Sequence, residues 1–248
     1  MLAALALWLT PYAFAAVDSD QAPKDISTMT AEELEAAGDE CRLNKNYSEA
    51  ARYFQEALRR DKKNARIYNK LGIAHMSAGD EYAAKYSFER AIRLNPNYAN
   101  AFNNLGVVYF RQQIQDAAAK YFRKAVELAE TRAAFHVNLG VTLFNQNSVA
   151  LAMKEYARAL ELDPNVLDQS SNVGITVQIA NPENRARFYF ELARIQAARG
   201  EFEDCLKRLN TAKEYGYHKL TDVYRDELFS LLWDDTRLRE IVAPPAAK

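Results

Sequence analysis

The chain has 248 residues, 49% of them hydrophobic, enough apolar material for a sizeable core. Its 32 basic and 33 acidic residues are spread along the chain and leave a net charge of −1, which argues against nucleic acid as the main partner, since a phosphate backbone calls for a basic face. Two cysteines do not make a disulfide framework, and three histidines at unrelated positions supply no recognisable His-dependent triad.

Met1 to Ala16 is an apolar run too short to span a membrane, which takes about 20 residues. It reads as a signal-peptide core over residues 1–15, with small residues at Ala13 and Ala15 for cleavage before Ala16, and it predicts an exported, periplasmic protein. No Lys or Arg precedes the run, so a start further upstream or an unusual anchor stays open. Residues 16–30, polar and containing Pro23, read as a flexible tether.

From residue 31 the sequence repeats itself. Gly38, Gly72, Gly106 and Gly140 stand 34 residues apart, the last three each preceded by leucine. In step with them come Ala50, Ala84, Ala118 and Ala152, then Phe54, Phe88, Phe122 and Tyr156, then Ala57, Ala91, Ala125 and Ala159. A glycine inside a helix gives up about 1 kcal/mol relative to alanine, so its recurrence needs a cause. Within the third unit Phe102, Leu105 and Tyr109 recur at helical spacing, and Ala118, Phe122 and Ala125 do so again. Each unit is therefore two helices, and the small residues let them approach while the large ones fill the space between.

This pattern, with Pro96 and Pro164 closing the second and fourth units, resembles the tetratricopeptide repeat family over residues 31–166. The resemblance implies an all-α fold, a right-handed superhelical solenoid of about five helical hairpins with a C-terminal helical cap. Stability in such an array is a sum of local interfaces rather than one central core. His75 stands where the third unit has Tyr109 and reads as a packed histidine, and Cys41 and Cys205 read as small buried hydrophobes.

Residues 167–185 interrupt the period as an inserted loop. Within it Val173, Ile175, Val177 and Ile179 alternate with Gly174, Thr176 and Gln178, a strand signal. Two readings stay open, a spacer with a short hairpin and a segment lying in or beside the groove. Residues 186–219 read as a fifth unit, with Ala193 where the glycines stood. In residues 220–243 Thr221 is expected to cap the first of two short helices broken near Asp234-Asp235 and covering the end of the stack. Asp226, Phe229 and Leu232 followed by Arg237, Leu238 and Ile241 resemble the closing segment of many bacterial tetratricopeptide proteins.

Enzyme signatures are absent from the sequence. No two glycines lie closer than seven residues, which excludes the usual phosphate cradles, and no His-Glu-x-x-His, Cys-x-x-Cys or Gly-x-Ser-x-Gly occurs. No catalytic residue, metal, cofactor or small-molecule substrate is expected. The resemblance places the first helix of each unit on a concave face that takes a protein or peptide partner. The residues there are Asn69, Lys70, Ile73 and Met76, then Asn103, Asn104, Val107 and Phe110, then Asn138, Val141 and Phe144. The asparagines resemble the ladder by which the repeats of O-GlcNAc transferase and kinesin light chain hold peptide backbone, because an amide side chain both donates and accepts. The other reading is that the apolar members complete packing between units and the asparagines cap loops. A clamp for C-terminal carboxylates, known in the family, is not matched, since Asp39, Lys70, Asn100 and Asn104 occupy its positions. A structural role in an envelope complex, through the convex face or the insert, is the competing function.

Overall fold

The computed structural model describes residues 25–167 and 182–245. The described chain is built from helical hairpins: α1 (Ala31–Leu43) with α2 (Tyr47–Arg60), α3 (Ala65–Ser77) with α4 (Glu81–Leu94), α5 (Ala99–Arg111) with α6 (Gln115–Leu128), and α7 (Ala133–Asn145) with α8 (Val149–Leu162). A fifth hairpin, α9 (Pro182–Ala198) with α10 (Phe202–Glu214), precedes two 3-10 helices and the short α11 (Thr236–Ile241). No strand occurs among the described residues. The alternating stretch at 173–179 and the signal-peptide reading of residues 1–15 fall outside them.

The glycine period has the cause that the sequence implies. A Cβ built on Gly38 would lie 2.6 Å from Phe54, one on Gly106 2.7 Å from Phe122 and one on Gly140 3.0 Å from Tyr156, while Gly72 meets Phe88 in the same way. All four rings are fully buried, as are the eight alanines of the second helices. Each glycine thus removes the one carbon that would hold its hairpin apart, and the ring of the partner helix occupies the room.

The turns repeat as well. Lys45, Gly79, Gln113 and Asn147, again 34 apart, all adopt positive φ, as does Gly200 in the fifth unit. Beyond each, the next N–H reaches back to a carbonyl five residues earlier, for example Asp80 to His75 and Ile114 to Tyr109, both at 2.9 Å. This is the Schellman closure, which satisfies the last carbonyls of a helix and turns the chain sharply. Thr30 opens the array with a capping box to Glu33, and Asn64 and Asp80 cap α3 and α4.

Three expectations need correction. Residues 25–30 are not loose tether: Asp25 caps a 3-10 helix at Ile26–Thr28, and Arg60 donates to the Ile26 carbonyl at 2.8 Å. The fifth hairpin begins at Pro182, four residues ahead of the expected boundary. The cap opens with a 3-10 helix at Leu220–Tyr224 that carries Thr221 inside it, with Lys219 at the N-cap. A second 3-10 helix, Glu227–Leu232, and α11 then bury Phe229, Leu232 and Leu238 against Phe190 and Leu209 of the fifth hairpin. Both cysteines are free thiols. Cys205 is buried, and burial pushes its pKa up to about 12, whereas Cys41 is only half-buried.

Candidate partner-binding face

The first helices α1, α3, α5 and α7 stand side by side, and polar side chains link them at one fixed offset. Lys70 Nζ meets Glu35 Oε1 at 2.5 Å, Asn104 Nδ2 donates to Asn69 Oδ1 at 3.0 Å, and Asn138 Nδ2 donates to Asn103 Oδ1 at 2.8 Å. Each pair is 35 residues apart, one period plus one residue, so the same repeat geometry makes every rung. Asn103 Nδ2 also donates to Asn104 Oδ1 at 3.3 Å, which joins the second and third rungs.

At the first rung Lys70 also pairs with Asp39, and Arg66 with Glu35 at 2.8 Å. The Glu35 carboxylate is buried, a position held only because two cations neutralise it. Along the array the rungs pass from charged to neutral amide, in step with burial. Lys70 and Ile73 keep partial exposure, while Asn69, Asn103 and Asn104 fall to 4% or less and Asn138 to 0%.

This corrects the expectation that the asparagines offer free donors and acceptors to a ligand. Among the described residues they are bonded to one another. Met76, Val107, Phe110, Val141 and Phe144 are buried as well and belong to one apolar cluster that runs from the second unit to the fifth. Within it Phe144 meets Phe188 of α9 edge-on, ring centres 5.9 Å apart. The structure therefore brings all eleven residues to one face, but only Lys70 and Ile73 stand partly open there. The rungs were legible in the sequence at an offset of 35, which pairs acid with base and amide with amide.

A cleft of about 600 Å³ that the sequence did not signal lies between α9 and the cap, lined by Arg187, Phe190, Arg194, Tyr217 and His218 among others. In it Arg194 bridges Glu191 at 2.9 Å and Asp226 at 2.6 Å. Burial opposes the Arg194 charge, but these two bonds outweigh it and raise the pKa. The guanidinium thereby ties the fifth hairpin to its cap.

Consecutive hairpins of a fixed 34-residue period, each packed on the next, define a helical repeat protein. Family models described as tetratricopeptide repeat match residues 36–84, 99–132 and 116–166, and one described as TPR repeat matches 83–113. Together they run without a gap from 36 to 166, more than half of the 248 residues, and the chain belongs to the tetratricopeptide repeat family.

Solved structures agree on the fold. A crystal structure of MamA is 21% identical with a TM-score of 0.52, over 72% of this chain and 93% of that one. MamA from Desulfovibrio magneticus RS-1, residue 41 to the end, is 18% identical with a TM-score of 0.53, over 75% and 94%. YrrB, described as a TPR protein with an unusual peptide-binding site, is 21% identical with a TM-score of 0.51, over 77% and 89%. No curated protein matches the sequence.

Proposed function

We propose that the chain is a non-catalytic interaction scaffold that receives an extended segment of a partner protein along the first-helix face. One observation carries this reading: Arg66, Lys70 and Ile73 keep exposure on the face where α3, α5 and α7 share a buried line of amides at a constant offset. An amide–amide bond between side chains can be exchanged for one to a peptide backbone at little net free energy, because donor and acceptor types are conserved. The partner meets Arg66, Lys70 and Ile73 first, since these retain exposure, and the asparagine rungs lie beneath its continuation. The peptide-binding description of YrrB supports the reading by fold likeness. Export, read from residues 1–15, places the partner in the periplasm in this proposal.

The test is a binding titration of the full chain with a partner segment identified by crosslinking in the native cells. Ile73→Glu is expected to weaken binding by at least about tenfold, the effect of burying one unpaired charge in a contact. Lys120→Glu, on the exposed side of α6, leaves it unchanged. Equal affinities of the two variants refute the assignment of the face.

A further inference from the structure

The side of the array formed by the second helices carries a pocket in the second unit, and the repeat itself shows why. In the third unit Tyr121 of α6 stacks on Tyr109 of α5, ring centres 5.2 Å apart and planes within 3°, with Phe102 at 6.4 Å. Lys85 of the preceding second helix lies 4.9 Å above the Tyr109 ring. In the fourth unit the position of Tyr121 is taken by Glu155, which meets His136 at 2.7 Å. In both units the groove between first and second helix is therefore closed from within.

In the second unit the residue at that position is Ser87, whose hydroxyl donates to the Ala83 carbonyl of its own helix. The equivalents of Tyr109 and Lys85 are His75 and Ala51, both shorter. The missing side chains leave an open pocket of about 500 Å³ between α2 and α4, walled by Leu58, Tyr68, Leu71, His75 and Tyr86. Tyr86 is 57% exposed and Tyr82, on the same helix, 86%, an unusual display of aromatic surface on a second helix.

The rim is basic. Arg59 and Lys62 line it; Arg59 pairs with Glu56 at 3.2 Å, a carboxylate it shares with Arg60, and Lys62 has no carboxylate partner among the described residues. Arg90 lies 5.5 Å over the Tyr68 ring with its Nε buried and without an acceptor among the described residues. Burial lowers the pKa of His75, so the floor of the pocket holds an uncharged imidazole at neutral pH.

We propose that this pocket is a docking point for a partner protein, distinct from the first-helix face. It takes one aromatic side chain of an acidic partner segment, as Tyr121 fills the same place one unit later, while carboxylates beside that aromatic meet Arg59 and Lys62. Two observations give the occupant its chemistry, the internal tyrosine that closes the equivalent groove and the net positive rim, where Arg59 and Arg60 share the single carboxylate of Glu56.

The probe is a capped pentapeptide, tyrosine flanked by two glutamates on each side, titrated into the full chain while the His75 ring resonances are followed by NMR. Saturable shifts are expected. Replacing the peptide's tyrosine by alanine should weaken binding about tenfold, the worth of a well-placed ring contact. Ser87→Tyr rebuilds the third unit's arrangement and should abolish the shifts while the helical circular dichroism is retained. Tyr86→Ala, at an exposed wall position, should weaken binding several-fold and does not threaten the fold, so it decides the matter if Ser87→Tyr fails to fold. No saturable shift at millimolar peptide, equal binding of the alanine peptide, or undiminished binding by Ser87→Tyr overturns the proposal. Self-association of the wild type that Ser87→Tyr removes also overturns it, by showing that the pocket holds a second copy of this chain.

Discussion

The close approach of the paired helices is tested most sharply at Gly106. In an unobstructed helix Gly→Ala is stabilising by about 1 kcal/mol. Here the new methyl would sit 2.7 Å from Cδ1 and Cε1 of Phe122, and that ring is fully buried among the alanines of α6. Relief needs a movement of about 1 Å in a close-packed interior, and such overpacking costs about 1–3 kcal/mol. The expected sum is a loss of up to about 2 kcal/mol, opposite in sign to the propensity effect. At Gly140 the nearest ring atom is 3.0 Å away, so Gly140→Ala should be milder. Urea denaturation followed by circular dichroism reads the stability, and hydrogen exchange over α5 and α6 localises it, because a repeat array need not unfold as one unit. Phe122→Leu in the Gly106→Ala background should cost less than Phe122→Leu alone, since the smaller side chain makes room for the methyl. A Gly106→Ala protein more stable than wild type by about 1 kcal/mol refutes the contact as the reason for the glycine.

Other outcomes follow from single side chains. Tyr156 stands where the first three units have phenylalanine, and its hydroxyl is fully buried without a hydrogen-bond partner among the described residues. Tyr156→Phe is therefore expected to raise stability by about 1 kcal/mol in urea denaturation, and a loss of that size contradicts the reading. Asn104→Ala strands Asn69 Oδ1 and Asn103 Nδ2 in a buried site and should cost about 2 kcal/mol, with Asn69→Ala less than additive to it in a double-mutant cycle. His136 faces Glu155 and the Glu130 carbonyl at 2.7 and 2.9 Å. Burial disfavours its charge, but those bonds prevail and its pKa is raised. Its contribution is thus complete below the unfolded value of about 6.5 and is lost as pH rises through the folded value, so the stability gap between wild type and His136→Gln should shrink from pH 5.5 to pH 8.

The hairpins were legible because their cause is local and repeated: Gly38, Gly72, Gly106 and Gly140 each needed a ring opposite, and the rings at Phe54, Phe88, Phe122 and Tyr156 were found by counting. The turns were half legible. Gly79 and Gly200 announce positive φ and Asn147 tolerates it, whereas Lys45 and Gln113 adopt it under the constraint of the hairpin, with no signal in their identity. That the first helices line up side by side was legible, but the exposure of their shared face was not. Facing inward in a repeat does not fix how far neighbouring first helices close on each other, and an asparagine ladder in the sequence does not tell whether Asn103 and Asn138 bond a ligand or, as here, one another. The cap was legible as helical turns over the end of the stack, but their 3-10 form was not, because a stretch such as Leu220–Tyr224 carries no amphipathic period long enough to read.

The proposal that a partner lies along the first-helix face is tested most directly by placing a photoreactive amino acid at Ile73, and in a parallel strain at Lys120, in the native cells. The account predicts a discrete crosslinked partner from Ile73 that Arg66→Glu diminishes, and none from Lys120. The same partner captured equally from both positions, or from Lys120 alone, would contradict it.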